Sequence, residues 1–274
     1  ARANILTAAC ATLVTNPLTF PPIYFAAYTL GHGVLGDRLS ACGDTMIRSI
    51  GARALDFAAP TALGLLLFGF ELMKADPNWA GMNMVQPEDA AYSTSDYNLH
   101  MRMVKYLSSV YPGENVTLHA GELVPGVVPP SDLRFHIRQA VNIAGADRIG
   151  HGADLRWERN PGQILRSMKK KGTCLEANLT SNQQILRLYG KRHPIRDYVK
   201  AGVKVTLSTD DEGVSRTDLT AQYVKAVRQH GFGYRRLKRF ATDGLRCAFL
   251  TPAERKAALA DQKQRFRKFE SRFP

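Results

Sequence analysis

Cysteine is scarce: the 274 residues hold four, Cys10, Cys42, Cys174 and Cys247, and no two stand as C-x-x-C. That excludes a zinc ribbon and a thioredoxin-type motif, and so low a density argues against a disulfide scaffold. The redox compartment stays open. Long apolar runs are lacking too. Ala3 to Gly36 carries no Asp, Glu, Lys or Arg, but Pro17, Pro21 and Pro22 interrupt it. Phe57 to Phe70 contains Pro60 and falls short of the ~20 residues that span a bilayer. Arg2 followed by Ile5 to Ala11 is a poor imitation of a secretory signal, and the chain does not open on Met. The expectation is no membrane partner and a cytoplasmic location, with export or the periplasm as the alternative.

Acidic residues are in the minority, 24 Asp and Glu against 37 Lys and Arg, for a net charge of +13. A basic chain raises the question of nucleic acid. Here the Lys and Arg are scattered along the sequence, with mild clusters at Lys169 to Lys171, Arg235 with Arg236, and Arg265 to Lys268. Solvated helix faces account for such runs, so no nucleic-acid partner is expected. Apolar residues at 45% and charged residues at 22% exclude a disordered chain.

Residues 1–64 show no sustained period and stay unassigned. From about 65 to 250, short apolar strands alternate with amphipathic helices, the pattern of βα units on a parallel sheet. Strands are expected at Gly81–Val85, Asn115–His119, Arg148–His151, Thr173–Asn178 and Val203–Asp210. Helices are expected from a Ser95 cap to Tyr111, over Leu133 to Val141 with Gly145 at its end, and over Ile164 to Lys171 before Gly172. Further helices fit Ile195 to Val199 before Gly202 and Leu219 to Val227 before Gly231. Thr251-Pro252-Ala253-Glu254 reads as a capping box that opens a basic helix over 251–274. Five βα repeats in a row predict a (β/α)8, TIM-type barrel that is incomplete at its amino-terminal side.

Three strand ends carry polar residues. In the strand that ends at His119, Val116 and Leu118 share the helix-facing side, so Thr117 and His119 point into the barrel, and Gly121 turns Glu122 over the same mouth. In the last strand Val203, Val205 and Leu207 share one face, while Lys204, Thr206, Ser208 and Asp210 line the other. Asp210 and Asp211 are adjacent carboxylates, costly unless a cation or proton offsets them. His151 is a misfit, since alternation puts it on the side of Ile149; a bulge at Gly150 or a turn at Gly152 would re-aim it. One metal held by His119 and Asp210, with Glu122 as proton carrier, accounts for the set.

The segments Leu118-His119-Ala120-Gly121-Glu122, Arg148-Ile149-Gly150-His151-Gly152 and Ser208-Thr209-Asp210-Asp211-Glu212 resemble those of the adenosine deaminase family, a zinc-dependent branch of the amidohydrolase barrels. Leu179-Thr180-Ser181-Asn182 is similar to its penultimate-strand segment. The resemblance implies a bound Zn2+ with His119 and Asp210 as ligands. It implies Glu122 as the acid that protonates purine N1, His151 as the base that deprotonates the attacking water, and Asp211 as the hydrogen-bond partner of purine N7. The implied partner is a small purine nucleoside and the implied reaction converts adenosine to inosine plus ammonia.

The chain departs from the family pattern in three places. It has no His-x-His, which supplies two more zinc ligands in the family, and its only histidine before position 100 is His32. Gln86 stands where the family has a glycine that meets the purine, and Glu212 replaces a customary proline. These departures predict a truncated chain or an incomplete gene model that binds zinc weakly and turns over little adenosine. The rival reading is a catalytically inactive remnant that binds nucleosides or a protein partner. Oligomeric state is open.

Overall fold

The computed structural model describes residues 58–273 apart from Gln86. The expectations resting on residues 1–57, among them His32 and the charge-free stretch from Ala3 to Gly36, lie outside these residues, as does Gln86.

Five strands form one parallel sheet in sequence order: β1 (Met82–Met84), β2 (Val116–Ala120), β3 (Arg148–His151), β4 (Cys174–Ala177) and β5 (Lys204–Leu207). Each joins the next through helix on one side of the sheet, so the strands stand as five consecutive staves of a TIM-type barrel. The register sets His119 beside Gly150 and Ala120 beside His151, while Ala177 lies beside Leu207. Along β5, residues Val203, Val205 and Leu207 are buried and Lys204 and Thr206 are not, as the alternation predicts.

Helix boundaries follow from end signals. The helix Pro161–Lys171 stops at Gly172, Ile195–Ala201 at Gly202 and Leu219–His230 at Gly231, each glycine with positive φ. Thr251 and Glu254 close the expected capping box at the head of the helix Pro252–Glu270. Two expectations are corrected. Ser95 ends a short helix, Ala91–Ser95, and Asp96 stands at the start of the long one, Tyr97–Val110. Leu133 lies ahead of its helix, which begins at His136 and widens into a π turn at Ala140–Ala144 before Gly145. Leu133 packs instead with Leu123 and Val128 in a small cluster apart from the main core.

Among the described residues two long helices were not read from the sequence, besides the short Ala91–Ser95, Leu179–Gln184 and Glu212–Ser215. Ala58–Ala75 takes in Pro60 within its first turn, where the missing N–H is no loss. It packs on β1 and on Tyr97–Val110, burying Phe70. Tyr234–Cys247 packs on β5 and seats Phe240 edge-on against Phe232. A disulfide joins Cys247, at the end of that helix, to Cys174, at the start of β4. Among the described residues no helix is long and apolar enough to cross a membrane.

Candidate metal centre

The five strands end at one mouth, and the polar residues of the three motifs collect there. His119, next to last in β2, hydrogen-bonds through Nδ1 to Glu88 Oε1 at 2.8 Å. Its Nε2 lies 3.4 Å from Glu122 Oε2. Gly121, at φ +83, lets the chain reverse between them, and a side chain there would strike Asp154. Glu122 reaches in the other direction as well: its Oε1 is 3.2 Å from His151 Nδ1 and accepts from Ser181 Oγ at 3.0 Å.

The misfit of His151 is resolved by its own backbone. Its φ is +69, a left-handed conformation rare outside glycine, and Gly152 follows at +54. This turns the imidazole from the helix side into the mouth, where its ring centroid is 4.2 Å from that of His119. The strain is held by bonds from Gly152 N–H to the Ala120 and Gly150 carbonyls.

A buried relay fixes the His151 ring. Ile195 N–H donates to His193 Nδ1, so His193 carries its proton on Nε2 and donates it to Asn182 Oδ1 at 3.1 Å. Asn182 Nδ2 then donates to His151 Nδ1 at 2.9 Å, which leaves the neutral ring's N–H on Nε2. That atom faces Asp210 Oδ2 at 3.7 Å. The Asn178 amide lies 3.1 Å from the same Nε2 with its oxygen unpartnered, and turned over it accepts that proton. His193 stays neutral because burial, then the His230 and Arg156 charges, push its pKa down to about 3.

The electrostatics separate the two central histidines. Burial lowers the His119 pKa, but hydrogen bonds and charges from Glu122 and Glu88 outweigh it and lift the group to about 10. For His151, burial and then the His119 charge hold the pKa below the usual imidazole range, against pulls from Glu122 and Asp210. Burial raises the Glu122 carboxyl, yet His119 and His151 bring it below the ordinary carboxylate range.

Ligand atoms of His119, Glu122 and His151 lie within 4.8 Å of one another. Two imidazoles and a carboxylate form a donor set of the type that catalytic zinc uses. Three carboxylates, Glu88, Glu122 and Asp210, crowd around these rings, so the site is chemically fitted to a divalent cation. Asp210 is not among the three clustered residues; it reaches the group through His151, from a backbone turned to φ +58. Asp211 is exposed at the head of the short helix Glu212–Ser215 and makes no side-chain cap. Glu88 was missed in the sequence. The available signal was its place just past the end of β1, where barrel strands present functional groups. It is buried, and it also accepts from the Gly121 and Glu122 backbone N–H groups at 2.8 and 3.3 Å.

Comparison with known proteins gives two family matches. The model of the family described as adenosine deaminase matches residues 81–265. A family described as an uncharacterized protein conserved in bacteria matches residues 1–73. An adenosine deaminase of Edwardsiella ictaluri is 27% identical over 253 residues, 90% of this chain and 71% of that protein. One of Aliivibrio fischeri is 32% identical over 195 residues, 71% of this chain and 51% of its own length. The chain thus spans about half the length of several curated relatives, 49% of one from Clostridium kluyveri. Among solved structures, an adenine deaminase from Arthrobacter aurescens superposes with a TM-score of 0.56 at 18% identity, over 74% of this chain and 58% of its own. A zinc-bound amidohydrolase from Burkholderia ambifaria gives 0.59 at 20% identity, over 77% of this chain and 54% of its own. An Arabidopsis N6-mAMP deaminase gives 0.56 at 21% identity, over 74% and 55%. At these identities the likeness is one of fold.

Proposed function

Because the chain belongs to the adenosine deaminase family, we propose that it hydrolyses the exocyclic amino group of adenosine, or of a closely related aminopurine nucleoside, giving inosine and ammonia. The observation that carries this reading is the position of Glu122. One carboxylate spans two imidazoles from neighbouring strands, 3.4 Å from His119 and 3.2 Å from His151. The purine ring nitrogen must gain a proton while the attacking water loses one, and a carboxyl beside a neutral imidazole offers a group for each transfer.

In this reading His119 and Asp210 would hold a Zn2+, although Asp210 meets the His119, Glu122 and His151 cluster only through His151. The ion would supply acidification of a bound water toward a pKa of about 7. The motif gives His151 the role of taking the proton of the attacking water. Burial holds the ring neutral, and with its N–H on Nε2 the acceptor is Nδ1, which must release the Asn182 N–H to receive that proton. Glu122, ionised in the free site, first takes up a proton from solvent and then delivers it to purine N1. The C6–O bond forms as the N1=C6 double bond becomes single. The C6–N bond then breaks as the C6 hydroxyl becomes the carbonyl and gives its proton back to Glu122, while the amino group takes up the proton held by His151 and leaves as ammonia. The resemblance gives Asp211 the role of meeting purine N7. The clustered donor atoms of His119, Glu122 and His151 support a divalent cation at this mouth; the choice among adenosine, adenosine monophosphate and adenine rests on residues that meet the sugar or phosphate.

The absence of His-x-His from the whole sequence favours a second reading, an inactive remnant that still binds nucleosides. Incubation of the zinc-loaded chain with adenosine separates the two. Slow inosine formation that disappears in E122Q supports deamination; saturable nucleoside binding with no inosine supports the remnant.

A further inference from the structure

More than half of the net basic charge falls in one carboxy-terminal segment. Between Tyr234 and Arg272 twelve Lys and Arg stand against four Asp and Glu, a net +8 of the chain's +13. These residues form the antiparallel pair of helices Tyr234–Cys247 and Pro252–Glu270. All four carboxylates are engaged within the pair. Buried Asp243 binds Arg239 at 3.0 Å and Arg246 at 3.2 Å, and Asp261 binds Arg265 at 2.7 Å. Glu254 closes the capping box with Thr251. Glu270 accepts from Tyr234 Oη at 3.1 Å and Lys238 Nζ at 2.5 Å. Arg235 and Arg236 are exposed, with no acidic partner among the described residues.

Those two arginines, with Tyr234, Arg239 and the Asp243 that Arg239 pairs with, line an open cleft of about 760 Å³ floored by Gly202 and Val203. The Lys169 ammonium stands beside Gly202, 3.3 Å from where a Cβ would be. Next to the cleft three aromatic side chains are exposed: Tyr234, Phe269 and Phe273. Their rings form a chain, with centroids 5.8 Å apart for Tyr234 and Phe269 and 5.0 Å for Phe269 and Phe273. The cleft lies at the amino end of β5, and the metal centre lies at its carboxyl end.

We infer that this helix pair binds single-stranded nucleic acid, with the phosphates in the arginine cleft and bases stacked on Tyr234, Phe269 and Phe273. Planar guanidinium forks match phosphate oxygens in pairs, and exposed rings beside a basic groove supply the stacking that a flexible strand needs. A lipid surface fits less well. An interfacial helix needs a continuous free apolar face, whereas Phe266 is turned inward against Tyr234 and Lys238. This proposal departs from the expectation of no nucleic-acid partner, because the fold gathers Arg235, Arg236 and Arg239 at one cleft with Lys169 beside its Gly202 wall. Nucleic-acid binding at this cleft does not depend on deamination at the metal centre.

The test is fluorescence anisotropy of a dye-labelled oligo-thymidine with the full chain over a range of potassium chloride concentrations. Binding should weaken steeply with salt, and R235Q/R236Q should lower the slope of log affinity against log salt by roughly 1.4, about 0.7 for each phosphate that the variant leaves unneutralised. F269A/F273A should weaken binding ~5- to 100-fold while leaving that slope in place, which a purely electrostatic interaction would not show. Circular dichroism of each variant checks folding. Absence of salt-sensitive binding overturns the proposal, as does binding that R235Q/R236Q leaves unchanged. Arginine-dependent binding to phosphatidylserine vesicles without binding to the oligonucleotide overturns it in favour of a membrane.

Discussion

Glu88 accepts the Nδ1–H of His119 across a 2.8 Å bond that ties the turn after β1 to the end of β2. That bond fixes the tautomer of the ring and aims Nε2 into the mouth, toward Glu122. The same carboxylate accepts two backbone N–H groups of the Gly121 turn, so the ring and the loop beside it share one support.

Replacing that support should therefore act on metal and on fold. E88Q keeps an acceptor but loses the charge, and divalent-metal affinity should fall by ~10- to 100-fold in a calorimetric titration. E88A also strands the Gly121 N–H, and should cost about 1–3 kcal/mol of stability in a denaturant melt. Unchanged metal affinity in both variants would show that Glu88 does not orient His119.

The relay behind His151 gives a second prediction. N182A leaves His151 Nδ1 without its donor and His193 Nε2–H without its acceptor. Nitrogen-15 spectra of the imidazoles should show His151 passing from one ring tautomer to a mixture, while the His119 resonances stay in place. An unaltered His151 tautomer would mean that Glu122 or Asn178, rather than Asn182, sets it.

Glu158 predicts a pH dependence. It is buried behind the site, and burial lifts its carboxyl to about 7 despite the Arg138 N–H that it accepts. A carboxyl with a raised folded pKa favours the folded state fully below the unfolded value near 4.5. That contribution is lost as pH rises toward 7, because the unfolded chain gives up its proton first. E158Q removes the titration and keeps the acceptor. It should gain ~1–3 kcal/mol over the parent at pH 8 and little at pH 4. A variant less stable at both values would contradict this.

The disulfide gives a prediction for stability. Cys174 and Cys247 are 73 residues apart, and their link pins the helix Tyr234–Cys247 to the start of β4. Reduction or C247S should cost about 2–4 kcal/mol in a thermal melt. Equal melting temperatures with and without reductant would show that the bond does not form in solution.

The site was legible in sequence where polar residues end strands with a clean alternation. Val203 to Leu207 announced its alternation clearly, although the strand ends at Leu207 and Asp210 takes its direction from a left-handed backbone, and the glycines after the helices marked their ends. His151 was not legible, because its direction comes from a left-handed backbone that periodicity cannot encode. Glu88 escaped because it follows a three-residue strand, Met82–Met84, too short to set a face. The helix Tyr234–Cys247 escaped because five arginines and lysines are interspersed with its apolar residues, and only Phe240, Asp243 and Cys247 are fully covered. The disulfide was hidden for the same reason, since its partners meet only when that helix folds back on β5.

The central claim is that Glu122, set between His119 and His151, moves a proton in a zinc-dependent deamination. The direct measurement is inosine formed from adenosine by the full chain, stripped of metal and then reloaded with zinc, in parent and E122Q. The account predicts turnover that is slow, lost on stripping and restored by zinc in the parent, with a further ~100- to 10,000-fold drop in E122Q. Equal rates in parent and E122Q, or no inosine from zinc-loaded parent, would contradict it.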